Sequence, residues 1–367
     1  MTLYDNVLTS IKHNKQRRLK GDVIAIPWVN LPKLAKVLPG VMKENYVIIS
    51  ANQKVGKTQL ADYLYLYSPI DWLYEHGTEA IDLDILYFSL EMSKEAKMRQ
   101  AMSYRLYRQY GVVVSPQKLQ SKFDDYILPD EIEEMIEAEQ DWFKFFQSKV
   151  TFYDGIRNPY GIYLTVRGKC EQEGEYTWGT MDWHREDGSV VEKSYREKYH
   201  DNPKKIQTVI VDHARLLSPE KGDTLYDSIS KLSSHYFLEM RDMWKCQVVL
   251  VQQQAPTSES QQYTMIGGTI LDKIRPTADN LGDNKSTGQD ANLMLSLFHP
   301  QRYNQKQYHD IDLKQMNKAY RELMINFNRD GEADLTLDLY FNGACNVFEE
   351  IDHKNIESLY KRIKSNK

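Results

Sequence analysis

Through the first 250 residues, short unbroken apolar runs take turns with stretches in which apolar residues recur every three or four positions. The runs are Tyr46-Val47-Ile48-Ile49-Ser50, Asp84-Ile85-Leu86-Tyr87-Phe88-Ser89, Val150-Thr151-Phe152-Tyr153, Gln207-Thr208-Val209-Ile210-Val211-Asp212 and Gln247-Val248-Val249-Leu250-Val251. A strand with one wet face alternates, whereas a strand covered on both faces does not, so these read as strands of a buried parallel sheet. The intervening pattern predicts helices from Lys57 to about Tyr67, from a Ser93 cap to Tyr110, over Asp130 to Gln147, and from Pro159 at its tolerated first-turn position. Another helix carries Leu225, Ile229, Leu232, Tyr236, Met240 and Met243 at a spacing that buries one face. Later strands are predicted over Leu293 to Phe298, Glu322 to Phe327 and Leu335 to Phe341. The last of these have no helix between them, as expected of an antiparallel edge. Strands separated by helices make this an α/β fold with a largely parallel central sheet.

Two stretches break the rhythm. Gly174 to Pro203 is polar and aromatic around Glu186-Asp187-Gly188, which predicts a hairpin insertion. Ala255 to Gln289 is long, rich in Gly, Ser and Asn, and weakly periodic; a loop of that length is functional or disordered. Tyr4 to Leu19 is helix-compatible and ends in a basic cluster, His13 to Lys20, before Gly21 and Pro27 break it. It reads either as a solvated helical face or as a docking or nucleic-acid-binding segment. The expected organisation is an N-terminal helical linker over residues 1–35, a core over 36–350 holding the insertion and the long loop, and a basic tail over 351–367.

Composition narrows the classes. The chain has 367 residues, enough for a substantial core, and is 41% hydrophobic and 27% charged. No apolar run reaches the roughly 20 residues of a membrane span, and the first residues lack signal-peptide order. Cys170, Cys246 and Cys345 are scattered and odd in number, which indicates neither a disulfide framework nor a zinc site. A cytoplasmic protein is the expectation. A formal charge of −5 excludes a polycationic nucleic-acid coat but not a local basic channel.

The strongest local signal is Ala51-Asn52-Gln53-Lys54-Val55-Gly56-Lys57-Thr58, placed directly after a strand and opening a helix. That is the setting of a phosphate-binding loop, in which backbone N–H groups wrap a polyphosphate at the positive end of a helix. Asn52 to Thr58 would hold ATP, with Lys57 on the β- and γ-phosphates and the Thr58 hydroxyl on Mg²⁺. The pattern's first glycine is Ala51 here, and alanine does not visit positive φ freely. Asp212, ending an apolar strand, is either a second Mg²⁺ partner or a turn residue. Glu91 is either the general base that activates water or a first-turn carboxylate favoured by the helix dipole.

These residues resemble a known family. Ala51 to Thr58, then Tyr87-Phe88-Ser89-Leu90-Glu91-Met92-Ser93, then Val209-Ile210-Val211-Asp212-His213 are similar to the motor domain of DnaB-type replicative helicases. Leu250-Val251-Gln252-Gln253, Gly288-Gln289-Asp290-Ala291-Asn292 and Asn328-Arg329-Asp330-Gly331 continue the series in order, so the likeness runs from about Pro27 to Phe348. The resemblance implies a RecA-like P-loop ATPase core forming a ring, expected to be a hexamer, with ATP at subunit interfaces. Gln252 would sense the γ-phosphate, or merely end a strand. Arg329 would act as an arginine finger on the neighbour's nucleotide, or merely occupy a turn.

Departures accompany the likeness. A primase-binding domain ahead of residue 27 is not expected from this sequence, the arginine usual after the sensor glutamine gives way to Ala255-Pro256, and the basic residue two positions before the finger corresponds to Phe327. The chain looks like a compact phage or mobile-element helicase, acting in a bacterial or phage-infected cell. In such rings the loops after the later strands face the channel. Here these carry Gly267, Gly268, Lys273, Arg275 and Lys285, suited to tracking single-stranded DNA. Primase, polymerase or a loader are the expected protein partners. Two other readings stay open: an ATPase that loads or regulates other DNA-processing proteins without unwinding, and a nucleotide-dependent scaffold without turnover.

Overall fold

The computed structural model describes residues 2–256 and 274–365. Helix α1 (Leu3–Leu19) begins with a capping box at Thr2, whose hydroxyl accepts from the Asp5 N–H, and its apolar residues Leu3, Val7 and Ile11 lie exposed. Helix α2 (Pro32–Val37) leads to β1 (Asn45–Ala51). There follow α3 (Lys57–Asp62), a π-helical turn over Tyr63–Tyr67, α4 (Ser68–His76), β2 (Asp82–Ser89) and α5 (Lys94–Tyr110). Helices α6 (Asp130–Ala138) and α7 (Gln140–Lys149), β3 (Val150–Tyr153), α8 (Pro159–Glu173), β4 (Glu175–His184) and β5 (Val190–His200) come next. The chain continues with β6 (Lys205–Asp212), α9 (Leu225–Ser230), a second π-helical segment over Lys231–Phe237, α10 (Leu238–Asp242) and β7 (Gln247–Gln253). Last come β8 (Leu293–Phe298), the short β9 (Gln307–Tyr308) and β10 (Ile311–Asp312), β11 (Tyr320–Asn328), β12 (Leu335–Asn342), β13 (Val347–Glu350) and a helix over Ile356–Ser365.

Among the described residues one nine-stranded sheet runs β13-β12-β11-β8-β1-β7-β6-β2-β3. The pairings from β8 through β3 are parallel, and β8-β11, β11-β12 and β12-β13 are antiparallel. The α/β class, the parallel centre and the antiparallel edge are therefore as the sequence predicts. Alternate residues of each central strand serve opposite faces. Val47, Ile49, Ile85, Tyr87, Ile210 and Val249 pack under α3, α4, α5 and α7. Tyr46, Ile48, Leu86, Phe88, Val209 and Val248 pack under α8, α9 and α10. Burial on both faces explains why these strands read as unbroken apolar runs.

The insertion is the antiparallel hairpin β4-β5, paired from Glu175↔His200 to His184↔Val190. Three expectations need correction. The single helix expected over Asp130 to Gln147 is two, broken at Glu139, whose carboxylate accepts from Arg105 and Tyr110. The core reaches further toward the N terminus than residue 36, because Ile26, Trp28, Leu31 and Leu34 are buried in it. Residues 351–367 are more than a basic tail, since Tyr360 and Ile363 bury one face of the last helix against Ile311, Tyr320 and Tyr340. No described helix is long and apolar enough to cross a membrane.

Candidate active site

The strand order brings the carboxyl ends of β1, β6, β2 and β7 to one edge of the sheet, with the Asn52–Thr58 loop rising from β1. Ala51 itself pairs with Gln253 on one side and Leu297 on the other. It is thus an ordinary strand residue, and alanine meets no conformational demand there. The demand falls on Gly56, which caps α3 at φ 114° with the Phe341 ring 3.3 Å from where a Cβ would stand. A side chain would be strained by the backbone and crowded by the ring.

Below the loop, the Thr58 hydroxyl donates to Asp212 Oδ1 at 2.9 Å. Asp212 is buried at the end of β6, and its parallel partner on β2 is Ser89. The Leu90 N–H donates to the Asp212 carbonyl at 2.8 Å, which sets Glu91 just beyond Asp212. Glu91 is half exposed, open to water, with its Oε2 3.8 Å from His213 Nε2. Burial first, then the Lys57 ammonium, holds the His213 imidazole below its ordinary value. Lys57, Thr58, Glu91 and Asp212 therefore belong to one cluster.

Gln252 is fully buried in β7. Its amide donates to the Gly282 and Asn284 carbonyls at 2.7 Å each, and its Oε1 accepts from the Thr287 hydroxyl at 2.7 Å. It thereby ties the strand end to the loop over 282–287. Arg329 lies elsewhere. It follows β11, whose Asn328 pairs with Leu293 at the amino end of β8, and Leu293 in turn pairs with Val47 at the start of β1. Its guanidinium donates to the Gln289 carbonyl and is exposed. Ala51, the last residue before the phosphate loop, lies four residues along β1 from Val47, roughly 13 Å at 3.3 Å per residue. Arg329 thus stands at the opposite edge of the sheet from its own chain's phosphate loop.

Three residues of the nucleic-acid expectation fare differently. Lys273, like Gly267 and Gly268, lies outside the described residues. Lys285 is exposed. Arg275 is turned inward, its guanidinium 2.6 Å from the buried Glu322 carboxylate; contact with a DNA phosphate would require breaking that pair. The Gly288-to-Asn292 motif is an anchor: Asp290 accepts from the hydroxyls of Ser233 and Ser234 at 2.7 Å, and Asn292 Oδ1 accepts from the Tyr46 N–H and from Arg241, both at 3.1 Å.

Sequence reasoning missed the brace behind the phosphate loop. Arg321 is buried, donates to the Val55 carbonyl at 2.6 Å, and lies over the Phe341 ring. Arg302 donates to the Gln53 carbonyl, and the Asn52 amide donates to the Tyr303 hydroxyl at 3.1 Å. Burial, then Arg302, lowers Arg321 to about 9. His299 is buried near both arginines, and its Nε2 lacks a hydrogen-bond partner. Burial foremost, then Arg321 and Arg302, pushes its imidazole down to about 3. Nothing in the sequence around Arg321 or His299 distinguishes them from ordinary strand-end residues.

The His299 shift has a measurable outcome. The folded protein keeps this imidazole neutral, whereas the unfolded chain takes up a proton near the ordinary value of about 6.5. Its contribution is whole above that pH and is lost as pH falls toward 3, at up to about 1.4 kcal/mol per pH unit. Urea unfolding at a series of pH values between 7 and 4.5 is expected to show a shallower decline for His299→Leu than for the unsubstituted chain. Identical slopes would remove His299 as a source of acid sensitivity.

Residues 186–350 match the family model described as the DnaB-like helicase C terminal domain. Among solved structures, the chain is similar to a DnaB-like replicative helicase described together with its interactions with primase, at 18% identity and a TM-score of 0.65 over 96% of this chain and 69% of that one. It is similar to the ATPase domain of G40P at 18% identity and a TM-score of 0.65 over 95% of this chain and 98% of that one. At that identity the solved structures speak for the fold. No curated protein matches the sequence. The family match covers the part of the resemblance that holds the Asp212, Gln252 and Arg329 motifs, and the solved structures share the α/β fold with its mostly parallel sheet.

Proposed function

We propose that the protein is an ATP-driven DNA helicase that assembles as a ring, in its simplest form a hexamer, and moves on single-stranded DNA in the cytoplasm of a bacterial or phage-infected cell. The observation that carries this reading is the division of the site. The Thr58–Asp212 pair sits under the phosphate loop at one edge of the sheet, and Arg329 stands exposed at the other. An arginine so placed serves a nucleotide only across an interface between copies.

In this reading, backbone N–H groups of Asn52 to Thr58 cradle the phosphates and Lys57 neutralises the terminal ones. Glu91, open to solvent beside Asp212, takes the proton of the attacking water. Thr58 and Asp212 offer hard oxygen donors at 2.9 Å, a donor set that fits Mg²⁺. When bound, Mg²⁺ supplies neutralisation of the phosphate oxygens. Gln252 spends both amide hydrogens and its oxygen on the 282–287 loop, so it senses a γ-phosphate only in a state in which those bonds have opened, and as it stands it ties the end of β7 to that loop. Lys285, with the loop that bears it, tracks the DNA phosphates, and primase, a polymerase or a loader engages the ring from outside.

The test is ATP hydrolysis with and without single-stranded DNA, paired with a forked-duplex unwinding assay. Stimulated turnover and strand separation, both abolished in Lys57→Ala, are expected. Stimulated turnover without strand separation would replace the helicase by an ATPase that loads or regulates other DNA-processing proteins. No turnover under any condition would leave a scaffold.

A further inference from the structure

Directly behind Asp212 lies a charged group that no part of the proposed chemistry uses. Lys97 extends from α5 into the core and is 1% exposed. Its ammonium donates to Asp62 at 2.9 and 3.1 Å and to the Tyr87 hydroxyl at 2.7 Å, and stands 3.7 Å from Asp212 Oδ2. The Tyr87 hydroxyl in turn donates to Asp62 Oδ1 at 2.7 Å and lies 3.4 Å from Asp212 Oδ2. Asp62 and Tyr87 are both fully buried.

Placing an ammonium in a core is costly, and a hydrophobic pair of the same volume serves packing as well or better. Here the ammonium is shared between two carboxylates, one of which is Asp212. The consequence is a division of the Asp212 carboxylate. Oδ2 faces inward to Lys97 and Tyr87, and Oδ1 faces the Thr58 hydroxyl. Contacts on both sides restrain the carboxylate plane from turning.

We infer that Lys97, locked by Asp62, is a positioning residue that fixes the Asp212 carboxylate so that its outer oxygen joins Thr58 on the metal side of the nucleotide. This rests on the ATPase reading above. Groups one layer behind a metal ligand typically alter metal affinity by about 10- to 100-fold when removed.

Lys97→Met alone strands a buried Asp62, and it can fail to fold for that reason. The informative variant is Lys97→Met with Asp62→Asn, which removes both charges together and leaves an acceptor for Tyr87. Its thermal melting is expected to stay close to that of the unsubstituted chain. The readout is equilibrium binding of N-methylanthraniloyl ADP, once with EDTA and once with excess Mg²⁺. The double variant is expected to bind the probe normally in EDTA but to lose about tenfold or more of the tightening that Mg²⁺ gives the unsubstituted chain. If the variant keeps that tightening, or exceeds it, Lys97 and Asp62 are a core ion pair and nothing more. An unsubstituted chain that binds no nucleotide would instead defeat the ATPase reading itself, so the two failures are told apart.

Discussion

Arg329→Ala is expected to lower ATP turnover by a factor of about 10³–10⁵, the range over which arginine fingers act on phosphoryl transfer. Nucleotide affinity should change little, because a finger acts on charge that develops in the transition state and not on the bound ground state. The reason for so large an effect is chemical. A guanidinium is always charged and presents a planar fork to phosphate oxygens, and it meets the charge that develops only as the bond breaks. The geometry adds a sharper expectation than loss of activity. In a head-to-tail ring each interface takes its phosphate loop from one subunit and its finger from the next. Arg329→Ala and Lys57→Ala are each inactive alone. When the two are mixed and allowed to exchange subunits, about a quarter of interfaces receive a good loop and a good finger, so turnover returns in part. Mixing without any recovery would mean that Arg329 and Lys57 act within one chain, or that Arg329 does not touch nucleotide.

Glu91→Gln is the second large effect. The substitution keeps shape and removes the base, so turnover is expected to fall by about 10²–10⁴ with nucleotide affinity and ring assembly intact. Asp212 lies one strand over and the Leu90 N–H is bonded to the Asp212 carbonyl, so the position of residue 91 is fixed by backbone and not by its own charge. Single-turnover hydrolysis by the variant, measured beside binding of the same nucleotide, is the check. A variant that hydrolyses at the parent rate would return Glu91 to the role of a first-turn carboxylate.

The sheet was legible in the sequence because its central strands are apolar on both faces, a pattern that few other elements share. The phosphate loop was legible because Gly56, Lys57 and Thr58 stand between a strand and a helix, and the requirement for glycine proves to lie at Gly56 and not at residue 51. Strand β13 escaped because four residues carry too little periodicity to separate a strand from a turn. The break at Glu139 escaped because it depends on Arg105 and Tyr110, more than 25 positions earlier. Arg275 was read as a channel residue because a lysine- and arginine-bearing loop gives no hint that Glu322 is buried beneath it. Lys97 was different: it shares a face of α5 with Ala101 and Tyr104, both buried. A lysine on that stripe was already a sign that its charge has a partner inside.

Strand β11 reaches both extremes of the domain. Near its start Arg321 grips the Val55 carbonyl of the phosphate loop, and just past its end comes Arg329. The eight steps between them cover roughly 26 Å at 3.3 Å per residue, along a ribbon laddered to β8 on one side and β12 on the other. Bonded on both sides, and with its register against β8 shifting once between Ile325 and Phe327, the strand fixes the two arginines to one sheet. In the proposed ring, one strand would therefore carry both the brace of a subunit's own phosphate loop and the guanidinium offered to the adjoining one.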